Sequence, residues 1–164
     1  MTHAGWESRV AAAWATFDER TDEENRALVE ALAAELPRGS AEASFERACA
    51  FDSTAAPELA VPLYREALAL GLGPERRRRA VIQLASSLRN LGRAEEGVAL
   101  LTGELAVGSD ELDDAVRAFL ALALTDVGRG PEAVSHALTA LAPHLPRYQR
   151  SLAAYAQDLA GEGS

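Results

Sequence analysis

The residues of this chain best suited to hold a charged group lie between positions 76 and 90. Arg76-Arg77-Arg78-Arg79 is its densest run of one charge. From the last of these a polar stripe continues through Gln83, Ser86 and Asn90, spaced i, i+4, i+7 and i+11, with Arg89 beside it. On a helix this spacing makes one face. Arginine on such a face can grip a carboxylate or phosphate through two parallel N–H bonds. A small-ligand or anion-sensing module using Arg79, Gln83 and Arg89 is therefore one reading. The other, which is favoured, is a solvated helix face, the usual fate of charge runs. The four-arginine run has the same two readings, an acidic peptide, nucleic acid or phosphate against local neutralisation. Successive helix positions cannot all point one way. Glu75 and the acidic residues at 110–114 are the expected neutralising partners.

Other reactive side chains are scattered. Cys49 lies in an apolar-rich stretch with no histidine nearby, as expected of a buried, inert thiol. His3 is terminal, and His136 and His144 stand eight apart across Pro143, which is no metal-ligand spacing. Asp110, Glu111, Asp113 and Asp114 are explained as the acidic first turn of a helix, where negative charge meets the positive end of the dipole. The chain has neither a phosphate-cradling glycine loop nor a nucleophile elbow. No catalytic, cofactor or metal residues are expected, and the chain is not expected to be an enzyme.

Bulk composition narrows the partners. The net charge of −9 opposes general nucleic-acid binding and adsorption to an anionic membrane. All 16 basic residues are arginine, which together with abundant alanine suggests a GC-rich bacterial genome. A single cysteine allows no internal disulfide and fits a reducing compartment. The N-terminus lacks a basic-then-apolar leader pattern and no stretch reaches the length of a membrane span, so a cytoplasmic location is expected. Apolar residues make up 48% of the chain but aromatics only 5%, which favours closely packed helices over a sheet of β-branched residues.

The elements that must position these residues read as nine helices in one domain. Trp6, Val10, Ala13, Trp14 and Phe17 form an apolar stripe on a helix over 4–19. The two tryptophans are expected as core anchors, with burial against a second copy as the alternative. Thr21 and Glu24 form a capping box for a helix over 22–36, with Leu28, Leu32 and Leu36 inward. Helix pairs follow at 41–54 with 57–70, 75–91 with 93–106, and 110–127 with 131–142, with Ser40 and Ser109 as caps. A last helix over 147–160 closes the series. Small residues recur in register: Ala60 to Gly97 is 37 residues and Gly97 to Ala133 is 36. Two helices approach closely only where both carry small side chains, so Ala48 should face Ala60, Ala85 face Gly97, and Ala121 face Ala133. Gly92 and Gly128 are placed to end helices in the left-handed conformation.

A period slightly above ~34 with these small-residue offsets marks helix–turn–helix repeats. The segments running Arg47 to Leu68, Leu84 to Leu101 and Leu120 to Leu138 resemble the tetratricopeptide repeat family, and more narrowly a small bacterial tetratricopeptide family. The first segment lacks the turn glycine. The resemblance implies an all-α, right-handed superhelix: three helix pairs over 41–145, an N-terminal pair over 1–38 and a capping helix over 146–164. It also implies action by protein–protein contact, with self-association as a homodimer a further implication. First helices line the concave face of such arrays. By that mapping Phe45, Cys49, Asp52, Arg79, Ile82, Ser86, Arg89, Ala118, Leu122 and Thr125 line the groove, with Gln83 and Asn90 of the polar stripe beside them. Phe45, Cys49, Gln83, Ala115 and Phe119 occupy the positions of the family's carboxylate clamp, so binding to chaperone C-termini is not expected.

Overall fold

The computed structural model describes residues 3–161, and all regular structure among them is helical. The chain forms two compact units, Met1–Ala80 and Val81–Ser164. The boundary between them falls within the helix Pro74–Asn90.

The first unit holds α1 (His3–Ala15), α2 (Asp22–Ala33), α3 (Ala41–Ser53), α4 (Pro57–Leu70) and the first turns of α5 (Pro74–Asn90). Helix α1 stops earlier than the apolar stripe predicts, and Phe17–Glu19 form a short 3-10 turn. The reason is local. The Arg20 guanidinium turns back to donate to the Thr16 hydroxyl at 2.8 Å and to the Ala13 carbonyl at 2.5 Å, an acceptor that a longer helix would satisfy with its own N–H. Helix α2 begins with the expected capping box on Thr21 and Glu24. It ends at Ala33, three residues short of the prediction, in a turn that precedes Pro37. Trp6, Val10, Ala13 and Leu32 form the core between these helices, with Trp14, Leu28 and Leu36 packed on its edge. Ser40 caps α3 by accepting the Ala43 N–H at 3.2 Å. Ala48 and Ala60 are fully buried in α3 and α4, as the small-residue pairing requires.

The second unit holds the rest of α5, then α6 (Ala94–Val107), α7 (Asp113–Asp126), α8 (Gly130–Leu141) and α9 (Gln149–Gly161). Here the small–small crossing is explicit. A Cβ added at Gly97 would lie 3.2 Å from the Ala85 carbonyl oxygen. Helix α7 starts three residues late, so Ser109 is not its cap. The Asp110 carboxylate accepts the Leu112 N–H at 2.8 Å, closing a turn that competes with helix, while the Ser109 hydroxyl donates to Asp113. Helix α9 packs along α8, and the Ser135 hydroxyl donates to the Ala156 carbonyl at 2.6 Å.

Three interhelix turns use one device. Gly92 and Gly128 take φ of +73° and +79°, and the following N–H reaches back five residues: Arg93 to Leu88 and Arg129 to Leu124, both at 2.9 Å. In the first repeat, which lacks the glycine, Ala55 takes φ of +55° and the Ala56 N–H bonds Phe51 at 2.9 Å. The repeat keeps the geometry and bears the Cβ strain, about 1–2 kcal/mol for a left-handed L-residue. Ala55→Gly should therefore raise stability by about 0.5–1 kcal/mol, the relief being partly offset by a freer unfolded chain. Urea unfolding would measure it, and a loss of stability would contradict the strain.

Candidate functional site

The expected groove residues fall into two sets, one in each unit. In the first unit, Phe45 and Cys49 of α3 are buried, and Asp52 is half-buried and accepts the Tyr64 hydroxyl at 3.3 Å. Phe45 packs against the Tyr64 ring with centroids 6.2 Å apart. Phe45 and Cys49 thus build the floor and offer no surface to a partner. Burial is the main reason the Cys49 thiol is pushed up to about 12. A thiol so protonated is unreactive. Cys49 should resist an aromatic disulfide reagent in the native protein and react at once in denaturant, and rapid native labelling would disprove its burial.

In the second unit, Ile82 is buried, Gln83 and Ser86 are half-buried and Asn90 is exposed. The Arg89 guanidinium pairs with Asp126 of α7 at 2.6 Å, so the sensing stripe has spent one of its two arginines on an internal contact. Ala118, Leu122 and Thr125 share one exposed face of α7. The Thr125 hydroxyl donates to the Ala121 carbonyl at 2.8 Å, which leaves Leu122, 45% exposed, as the dominant feature of that face.

A concavity in the first unit consists largely of residues outside the expected groove. A cleft of about 500 Å³ is lined by Glu7, Val10, Ala11 and Trp14 of α1, Glu46 of α3, and Glu75, Arg76 and Arg79 of α5. Glu46 is only 3% exposed. Its carboxylate accepts the Trp14 indole N–H at 2.8 Å and lies 3.5 Å from the Arg76 guanidinium. Arg76 forks onto Glu7 with bonds of 2.8 and 2.5 Å and covers the Trp6 ring at 5.7 Å. Arg79 lies 5.4 Å over the Phe45 ring.

Arg76 finds its carboxylates in Glu7 and Glu46, from helices far earlier in the chain. The arginines also diverge as helix geometry demands: Arg78 is buried, Arg76 and Arg77 are half-buried, and Arg79 is exposed. Trp14 is half-buried with its N–H committed, so it is both a core edge and part of the cleft wall. The one available signal for Glu46 was its place among mostly small and apolar residues in the segment Ala41 to Phe51, whose only other acid is Glu42.

The electrostatics divide the acids. The Arg76 hydrogen bonds hold the Glu7 carboxyl below the ordinary range, whereas burial raises that of Glu46 despite its Trp14 and arginine neighbours. Glu46 therefore binds its proton more tightly folded than unfolded, and its contribution to stability fades as pH rises through its folded pKa. His3 lies beside the cleft, 3.1 Å from Glu7 and stacked on Trp6, and the other two histidines lie elsewhere. His144 meets Asp114 at 2.8 Å and His136 approaches Arg117 at 3.5 Å. Among the described residues no group of three metal-ligating side chains converges, and no helix is long and apolar enough to cross a membrane.

Helical hairpins in register, joined by one recurring left-handed turn and crossing at paired small residues, define an α-helical repeat protein. The Tetratrico peptide repeat family profile matches residues 41–159, and the chain belongs to that family. Solved structures share its all-helical repeat fold. The nearly identical TPR-like repeats of a protein assigned as a kinesin light chain from Podosopora anserina match at 20% identity, covering 99% of this chain and 90% of that one, with a TM-score of 0.72. A double mutant of MamA from RS-1 matches at 14% identity over 96% of this chain and 92% of that one, TM-score 0.62. YrrB, a tetratricopeptide protein with an unusual peptide-binding site, matches at 16% identity over 92% and 84%, TM-score 0.55. A comparison with curated proteins returns no match.

Proposed function

We propose that this protein is a non-enzymatic scaffold that binds a segment of a partner protein, with the cleft of the first unit as the principal contact and the Leu122 face of α7 as a separate one. The cleft carries this reading. Its wall combines apolar surface from Val10, Ala11 and Trp14 with charged groups whose positions are set by fixed contacts. Such a mixture suits a peptide, which presents apolar and polar groups alternately, and preformed side chains reduce the ordering cost of binding. The family supports the reading, since tetratricopeptide repeats commonly act as interaction scaffolds. An anion sensor on Arg79 and Arg89 has no such support, because the Arg89 guanidinium is engaged by Asp126.

The test is selection of peptides from a displayed random library on the full chain. Ala11 is exposed and lines the cleft, so Ala11→Arg fills it without removing a core contact. Enriched peptides should bind that variant about tenfold more weakly, a difference of about 1.4 kcal/mol. Failure to enrich any peptide, or equal binding to the filled cleft, would refute the reading.

A further inference from the structure

Three carboxylates and two guanidiniums line the cleft: Glu7, Glu46 and Glu75 against Arg76 and Arg79. Glu7 and Arg76 satisfy each other through a two-pronged bond. What remains toward the cleft is Glu46, Glu75 and Arg79, an excess of one negative charge. Arg79 is already stabilised by the face of Phe45, a favourable site for a cation. Glu46 is less well served. It is nearly sealed from water, takes a single close hydrogen bond from the Trp14 indole, and has Arg76 only at 3.5 Å. A carboxylate with about four acceptor sites can take more donors than these. Its raised proton affinity agrees that nearby positive charge falls short of its burial. The net charge of −9 also favours the approach of a basic partner.

Resting on the scaffold reading above, we propose that the cleft receives a basic side chain, lysine or arginine, of the partner segment, with Glu46 at its base as the anion that pairs with it and Glu75 at its mouth. The aliphatic stem of such a side chain fits along Val10, Ala11 and Trp14 while its charged end reaches inward. Pairing would complete the bonding of a buried carboxylate, and close desolvated pairs of this kind dominate specificity at interfaces. Glu7 and Trp14 belong to α1, which precedes the family-matched residues 41–159, so the N-terminal helix tailors the repeat surface to this ligand chemistry.

The chain has two tryptophans, so its nitrogen-15 spectrum contains two indole signals, and that of Trp14 reports directly on Glu46. Three probes are compared on the intact protein: the acetylated, amidated peptide Ala-Leu-Lys-Leu-Ala and its versions with glutamine or glutamate in place of lysine. The lysine probe should move the Trp14 signal, leave that of Trp6 in place, and bind at least about tenfold more tightly than either other probe. Glu46→Gln keeps an acceptor for the Trp14 indole and removes the charge, and should abolish the preference for lysine. Glu75→Gln should reduce it about two- to threefold, as for an exposed charge. Equal binding of the lysine and glutamine probes to the wild-type protein, a stronger effect of the glutamate probe, or no shift with any probe would overturn the proposal. The wild-type comparison decides even if Glu46→Gln fails to fold. Enrichment of displayed peptides lacking lysine and arginine would overturn the basic-ligand inference alone, whereas no enrichment would refute the scaffold reading itself.

Discussion

Replacing Trp6 with alanine should cost about 4 kcal/mol of folding stability. The indole is 1% exposed, and its loss empties the cluster formed with Val10, Ala13 and Leu32. Truncating a buried aromatic to alanine typically costs about 3–5 kcal/mol. Two further losses act in the same direction. The Leu32 carbonyl gives up the indole N–H at 2.8 Å, and the Arg76 guanidinium loses the ring beneath it. Against a total stability of roughly 5–15 kcal/mol, this is a large fraction. Chemical denaturation followed by circular dichroism would measure it, with hydrogen exchange localising the damage to α1 and α2. The sequence left open a role for this tryptophan in dimer formation. A stability change below about 1 kcal/mol, together with a change of mass in solution, would favour that role and contradict a core anchor.

Gly97→Leu should be the most damaging change in the second unit, at about 3 kcal/mol. The obstacle is backbone: the first added carbon already sits 3.2 Å from the Ala85 carbonyl oxygen. A methyl group needs a shift of a few tenths of an ångström, and helix propensity returns about 1 kcal/mol when glycine becomes alanine. Gly97→Ala should therefore lie near neutral. An isobutyl group must separate α5 from α6, an overpacking penalty of about 1–3 kcal/mol or more. Thermal unfolding of the two variants side by side checks this. If leucine were tolerated as well as alanine, the close crossing of these helices would be wrong.

The repeat architecture was legible because it rests on local rules that recur. Ala60, Gly97 and Ala133 mark the crossings, and Gly92 and Gly128 mark the turns, each with a spacing visible in one dimension. The Thr21–Glu24 box likewise uses residues three apart, and it forms as written. Boundaries were less legible where a side chain competes with the helix, as Arg20 does beyond α1 and Asp110 does before α7.

Sequence by itself determined the fold class, the repeat family and the division of Arg76–Arg79 among several directions. These follow from periodicity and residue size, which act over a few positions. Only the tertiary structure decided which carboxylates meet the arginines and where a cleft opens. Glu7 and Arg76 stand 69 residues apart, and Trp14 and Glu46 stand 32 apart. Electrostatic and hydrogen-bond partners depend on distance in space, and no spacing along the chain encodes that a helix outside the repeats returns to lie beside them. The same packing put Phe45 and Cys49 beneath the surface and made Glu46 a buried acid, because desolvation is a property of surroundings that the residue's own neighbours in sequence do not reveal.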